Sequence, residues 1–137
     1  MSLFVDTSAW YALLDRSDRS HERITAILGG AGELVLTDHV LVETHRLAAH
    51  RLGGAVADRF WTAVNDGQAT LEPVGLADLG GALAIRIGWP DQAFSLVDCT
   101  SFVVMQRLRI TAVVTLDDDF AVFRFGSRRQ HAFEIAR

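Results

Sequence analysis

Apolar and polar positions divide the chain into short strand-like runs separated by longer helical segments. The run at 2–5 ends at Asp6 and is followed by helical composition at 7–14, which predicts a strand, a sharp turn and a helix. Later apolar runs predict further strands at 34–36, 69–74, 112–115 and 132–135. Apolar residues at helical spacing predict the remaining helices at 22–28, 40–48, around 60–64, 76–87 and 96–108.

This alternation of strands and helices predicts one α/β domain over residues 1–137. Helical crossovers join parallel strands, so we expect a three-layer α/β/α arrangement around a central, mostly parallel sheet of four to five strands. A chain of 137 residues that is 50% hydrophobic has enough apolar surface for one core and no room for a second domain.

The basic residues exclude several functions of α/β proteins. All 13 are arginine, and the sequence contains no lysine. A Walker-A phosphate loop, Schiff-base chemistry and a phosphorylated receiver domain each need a lysine, so none of them applies. The net charge of −4 means that a polyanionic substrate has to be held by a local basic patch or through metal ions.

Neither a targeting segment nor a disulfide framework is apparent. No run approaches the roughly 18 apolar residues of a spanning helix, and residues 1–6 lack the basic start of a signal peptide. We therefore expect a cytoplasmic protein. The single Cys99 has no partner for a disulfide or a thiolate zinc site, and we interpret it as a small buried hydrophobe.

Two aspartates are predicted to meet at one edge of the sheet. Asp6 follows the first strand and Asp117 lies just beyond the strand that ends at Thr115. The carboxyl ends of parallel strands share one edge, so these side chains are expected to be neighbours. The alternative for Asp6 is an N-cap of the following helix, a role worth about 1 kcal/mol.

Two further acids come from helices. Ser95 and Asp98 have the spacing of a capping box, which does not preclude metal binding by Asp98. Glu43 stands with Val40 and Leu47 at i, i+3 and i+7, which places its carboxylate on or beside an apolar helix face. A buried carboxylate there needs a partner, either Arg46, a proton or a metal ion.

The run at 117–119 places three acids together, where they repel one another unless a cation is present. A solvated acidic turn is the alternative. Magnesium and manganese prefer carboxylate oxygens, and a cluster of Asp6, Glu43, Asp98 and Asp117 suits ions that bridge a phosphate. The chemistry that fits such a cluster is hydrolysis of phosphodiester bonds by a metal-activated water.

The order of these motifs resembles the PIN-domain family, and within it the VapC toxins of bacterial toxin–antitoxin pairs. The matching stretches are Phe4–Trp10, Leu41–Glu43, Ser95–Asp98 and Thr115–Phe120. The resemblance covers almost the whole chain and implies a PIN-like fold and a Mg²⁺- or Mn²⁺-dependent endoribonuclease. It implies Asp6, Asp98 and Asp117 as metal ligands, with Glu43 completing the catalytic set. The acidic run also lets Asp119 approach the metal, while Asp118 is expected to face solvent.

The same resemblance implies an RNA substrate, a homodimer and a cognate VapB-like antitoxin whose C-terminal segment covers the active site. Trp10, Tyr11 and Trp61 are interpreted either as anchors for that segment or as core residues. Two basic runs are candidate RNA contacts, although either could be a solvated surface. They comprise His45, Arg46, His50 and Arg51, and Arg124, Arg128 and Arg129.

Three other functions were weighed. A haloacid-dehalogenase-like phosphatase needs a second aspartate where this chain has Ser8, and a lysine that it lacks. A non-catalytic PIN-like module that binds RNA or protein has no need for four converging acids. A serine or cysteine hydrolase is poorly supported, because neither His39 nor His45 has an evident nucleophile partner.

Overall fold

The computed structural model of the protein describes residues 1–137. The strands are β1 Ser2–Val5, β2 Glu33–Thr37, β3 Thr70–Glu72, β4 Ala112–Val114 and β5 Glu134–Ala136. The helices are α1 Thr7–Leu14, α2 His21–Gly29, α3 Asp38–Leu52, α4 Gly54–Asn65, α5 Leu76–Gly88, α6 Leu96–Leu108 and α7 Asp119–Val122. None of these helices has the length and apolar character needed to cross a membrane.

The strands form one five-stranded sheet in the order β3-β2-β1-β4-β5. Every neighbouring pair is parallel, and β1 lies at the centre, with Phe4 opposite Val35 of β2 and Val113 of β4. Helices flank the sheet, so the predicted α/β fold with a parallel five-stranded sheet is confirmed. All strands end at the same edge, which brings the chain after β1 and after β4 together.

The core explains why the central strands are so apolar. All three residues of β4 are buried, as expected for a strand that is covered on both faces. Under α6 and α7 lies a cluster of phenylalanines, in which the rings of Phe102 and Phe123 stack with centroids 4.3 Å apart. Phe120 and Phe133 also contact Phe102, so the last third of the chain shares one aromatic core.

The structure differs from the predicted elements mainly after β4. The acidic run, where the sequence predicts no helix, leads directly into the short helix α7. This helix forms because Phe120 and Phe123 are both buried in the aromatic cluster, at 0% and 3% exposure. The strands also shift by a residue or two, since β5 is Glu134–Ala136 and β3 covers only Thr70–Glu72.

Candidate metal centre

Asp6 lies where β1 passes into α1, and its carboxylate contacts hydroxyl groups. The residue holds the N-cap position of α1, yet its side chain makes no capping hydrogen bond to a backbone N–H of the helix. Its Oδ2 accepts hydrogen bonds from Thr115 Oγ1 at 3.0 Å and from Ser8 Oγ at 3.4 Å. Asp6 is thus the N-cap residue by position, while its carboxylate joins the ends of β1 and β4.

The loop after β4 is organised by the same two hydroxyl groups. Thr115 Oγ1 accepts a hydrogen bond from the backbone N of Asp117 at 3.0 Å, and Ser8 Oγ accepts one from Leu116 N at 2.9 Å. Asp117 Oδ1 in turn accepts from the backbone N of Asp119 at 3.0 Å. The hydroxyl groups thus orient the carboxylates.

Asp98 is held at the start of α6 by the predicted capping box. Its backbone N donates to Ser95 Oγ at 3.0 Å, and its Oδ2 accepts from Ser95 N at 3.1 Å. The side chain is buried, with the whole residue only 8% exposed. Ser95 engages only one carboxylate oxygen, so the other remains free to bind a cation.

Three aspartates come close enough to share one ion. Asp98, Asp117 and Asp119 each offer a carboxylate oxygen, and these oxygens lie within 4.8 Å of one another. The start of α7 turns Asp119 back toward α6, which makes it a full member of the cluster. Asp118 points away, with a side chain that is 83% exposed and bonded to Arg137 at 2.9 Å, as its predicted solvent position requires.

Asp6 and Glu43 join this cluster through electrostatics. The pKa of Asp6 is raised from 3.8 to about 6, chiefly by burial and to a smaller extent by the charges of Asp117 and Glu43, against hydrogen bonds from Thr7 and Thr115 that lower it. Burial also raises the pKa of Asp98 well above its usual range, helped by a hydrogen bond with Asp119 and by the charge of Asp6. The acids therefore destabilise one another's charged forms.

No arginine neutralises these acids. The protein has ion pairs at Asp58, Glu72, Asp78 and Asp118, and none at any of the converging carboxylates. In particular, Arg46 forms no ion pair with Glu43, so the alternative partner from the sequence is not used. Five acids that converge without a positive side chain fit a hard divalent cation, which takes carboxylate oxygens as ligands.

A parallel sheet whose carboxyl edge gathers such acids is typical of nucleases with an α/β fold. The PIN domain family matches residues 3–126, and the chain belongs to this family. It is 32% identical over 129 residues to the 23S rRNA-specific endonuclease VapC20 of two Mycobacterium tuberculosis strains, covering 90% of this chain and 95% of the relative. It is 26% identical over 116 residues to the ribonuclease VapC26 of the same species, covering 84% and 86%.

Solved structures agree with this relationship. The crystal structure of M. tuberculosis VapC20, described as a sarcin–ricin loop cleaving toxin, superposes with a TM-score of 0.83 at 28% identity and covers 88% of this chain and 93% of that one. A toxin–antitoxin complex from Klebsiella pneumoniae shares the fold, with a TM-score of 0.64 at 14% identity over 85% and 88% of the two chains. The prediction of a PIN-domain ribonuclease related to VapC toxins is confirmed.

The individual site residues remain predictions that the geometry supports. The sequence named Asp6, Glu43, Asp98 and Asp117, and the structure gathers them as described. Asp119 is a further candidate, at i, i+2 from Asp117. That spacing does not predict helix α7, because the helix depends on packing of Phe120 and Phe123 against Phe102, which is distant in sequence.

Proposed function

We propose that the protein is an endoribonuclease toxin that depends on Mg²⁺ or Mn²⁺ bound at the acidic cluster. The observation that carries the proposal is the convergence of Asp98, Asp117 and Asp119, none of which forms an ion pair with a basic side chain. The charges of Asp117 and Glu43 act on Asp6, which ties both Asp6 and Glu43 to this group. Asp6, Asp98 and Asp117 are the proposed ligands from the resemblance. Asp119 is added because its carboxylate lies within the same group.

The chain's own residues prepare this site in two ways. Thr115 and Ser8 hold the carboxylate of Asp6, and Ser95 holds that of Asp98, so both are oriented before an ion arrives. Burial and the neighbouring acids disfavour the charged form of Asp98, so a cation held by Asp98, Asp117 and Asp119 would offset that cost. A bound ion supplies an activated water and stabilises charge on the phosphate.

The proposed substrate is RNA, and ribosomal RNA is the first to test. The relatives named above are a 23S rRNA-specific endonuclease and a ribonuclease, and the VapC20 structure is described as that of a sarcin–ricin loop cleaving toxin. An RNA hairpin with the sarcin–ricin loop sequence is therefore a suitable probe. A protein that binds this hairpin without cutting it would instead be the non-catalytic module weighed above.

The proposed activity is tested by incubating the purified protein with this hairpin in Mg²⁺ or Mn²⁺, in excess chelator, and after restoring the ion. We expect cleavage only with the ion present. The Asp98→Asn variant is expected to keep its fold, checked by circular dichroism, and to lose at least about 100-fold in rate, because a ligand of the activating ion is gone. Robust cleavage in chelator, or by the variant, would refute the metal mechanism.

We further propose the partners that the family resemblance implies, a VapB-like antitoxin and a second copy of the chain. An exposed apolar stripe on α5, formed by Leu76, Leu83 and Ile87 at 88%, 62% and 71% exposure, is a suitable surface for the second copy. Light scattering should then give twice the 15.1 kDa of one chain. The cytoplasmic location stays a prediction.

A further inference from the structure

A pocket of about 600 Å³ lies beside the acidic cluster, at the start of α2. It is lined almost entirely by polar groups, from Asp18, Arg19, Ser20, Arg23, Leu116 and Arg137. Leu116 immediately precedes Asp117, so the pocket and the cluster share the loop after β4. We call this feature the arginine pocket.

The arginine pocket carries an excess of positive charge. Arg19 and Arg23 are exposed and take part in none of the protein's ion pairs. Arg137 is held against the loop after β4 by its bond to Asp118. The acidic groups nearby are Asp18, whose Oδ1 accepts from Ser20 N at 2.8 Å, and Asp118 itself. Among the side chains that line the pocket, three guanidinium groups accompany one carboxylate, in a protein whose net charge is −4.

Ser20 is an independent sign that the arginine pocket is built to take a ligand. The residue is only 7% exposed and lines the pocket. It precedes α2 at the N-cap position, yet its side chain accepts no hydrogen bond from the helix. Since the Ser20 hydroxyl group caps no backbone N–H of the helix, it is available to an anion at the positive end of α2.

We propose that the arginine pocket binds a phosphate group of the RNA strand next to the phosphate that is cleaved. Guanidinium groups donate paired hydrogen bonds to phosphate oxygens, and the Ser20 hydroxyl can add another. The shared loop carries Asp117, so a strand whose flanking phosphate sits here is aligned with the acidic cluster. This inference rests on the proposed ribonuclease function.

Two of the three arginines of the second basic run are engaged elsewhere, which strengthens this assignment. Arg124 donates to the backbone oxygens of Ala121 and Phe123. Arg129 donates to Gly88 O at 2.7 Å, and its guanidinium lies over the ring of Trp89 at 4.3 Å. These side chains hold the C-terminal segment in place, whereas Arg19 and Arg23 remain available to a ligand.

The test measures RNA binding in an Asp98→Asn background, where the RNA stays intact. The probe is the sarcin–ricin loop hairpin, titrated at several salt concentrations. Arg19→Gln/Arg23→Gln is compared with its parent and with Arg16→Gln/Arg59→Gln, which removes the same charge from exposed arginines of another groove. We expect the first pair to weaken binding about 10-fold and to lower the salt slope by about 1.4, as for two lost phosphate contacts on a single strand. The control pair should change the affinity by less than about twofold.

If both double variants lose RNA affinity equally, the arginines act only by general charge attraction and the proposed phosphate site is wrong. The proposal is also wrong if Arg19→Gln/Arg23→Gln binds RNA as tightly as the parent, or if the parent binds no RNA. With Asp98 intact, the Arg19→Gln/Arg23→Gln variant should raise KM about 10-fold with little change in kcat. The two proposals fail separately. If the wild-type protein cuts no RNA but the arginine pair weakens binding selectively, the pocket stands and the nuclease function falls.

Discussion

At the scale of single residues, Asp6 and Asp98 are carboxylic acids placed where their charge is disfavoured. Asp6 is 4% exposed and its pKa is raised to about 6, while the pKa of Asp98 is raised by burial and by its acidic neighbours. In the absence of metal, the folded protein therefore holds protons that the unfolded chain would release. The acidic cluster therefore lowers the stability of the metal-free protein, and a bound cation would offset that cost.

This arrangement predicts an unusual dependence of stability on pH. Folded-state pKa values above the unfolded value of 3.8 mean that the metal-free protein gains stability as pH falls from about 8 to about 5. We expect a gain of roughly 1–3 kcal/mol in the free energy of unfolding, measured by urea denaturation. Mg²⁺ at pH 8 should recover part of this difference, because the ion binds the charged acids.

Asp98→Asn is the control for this prediction. The amide cannot ionise, so the metal-free variant should be more stable than the wild type at pH 8 and should respond less to acidification. The opposite result is a wild-type protein that loses stability as the pH falls from about 8 to about 5, or that has the same free energy of unfolding as the variant at every pH. Either result would show that repulsion among the charged acids does not destabilise the protein.

At the scale of elements, one arginine ties α6 to α5 and β3. Arg107 donates from Nε and Nη2 to the two carboxylate oxygens of Asp78, each at 3.0 Å, and from Nη1 to Glu72 Oε1 at 2.8 Å. Asp78 also accepts from Gly75 N at 2.9 Å, which caps α5. The guanidinium holds the pKa of Asp78 below its usual range. Since α6 carries Asp98, this contact also fixes the helix of the site.

Removal of Arg107 is predicted to destabilise the protein moderately. In Arg107→Met the carboxylate of Asp78, which is 5% exposed, loses its charged partner. We expect a loss of about 1–2 kcal/mol in the free energy of unfolding, kept small because the arginine side chain is partly exposed to solvent. Arg59→Met on exposed α4 surface is the matched control and should change it by less than about 0.5 kcal/mol. Equal effects of the two variants would show that the contact adds nothing.

Local patterns predicted most of the elements, and long-range packing decided the rest. The apolar run before Asp6, the Ser95–Asp98 capping box and the buried strand β4 each follow from residues close in sequence. Helix α7 does not, because its four residues fold only against distant phenylalanines. The place of Asp119 depends on that helix, and the arginine pocket joins α2 to the chain's last residue. Neither could be derived from local spacing.

At the scale of the whole molecule, a second surface is available to a protein partner. A groove of about 1130 Å³ is lined by 14 residues, nine of them hydrophobic, and runs between α1, β2 and α4. Trp10 and Phe60 lie in it with their rings 5.3 Å apart. Its lining includes the end of α1, the start of β2 and the residues just before β3, so the groove lies toward the edge of the sheet opposite the acids. We propose that an apolar part of the antitoxin binds in this groove, away from the acidic cluster.

This proposal predicts that antitoxin binding and RNA cleavage can be separated. Ala63→Arg places a bulky charge in the groove, whereas Ala55→Arg makes the same change on an exposed part of the same helix. Co-purification with the product of the neighbouring antitoxin gene should be lost only for Ala63→Arg. Both variants should still cleave the hairpin. Retained capture by Ala63→Arg would place the antitoxin elsewhere.

The proposed activity requires a divalent ion that is bound at the acidic cluster. The direct measurement is a Mn²⁺ titration followed by electron paramagnetic resonance, with cleavage measured on the same samples. Wild-type protein and Asp118→Asn should bind the ion and cut RNA in proportion to the bound fraction, because Asp118 faces solvent. Asp98→Asn and Asp119→Asn should lose both binding and cleavage together. Cleavage without a bound ion, or equal binding by all four proteins, would contradict the account.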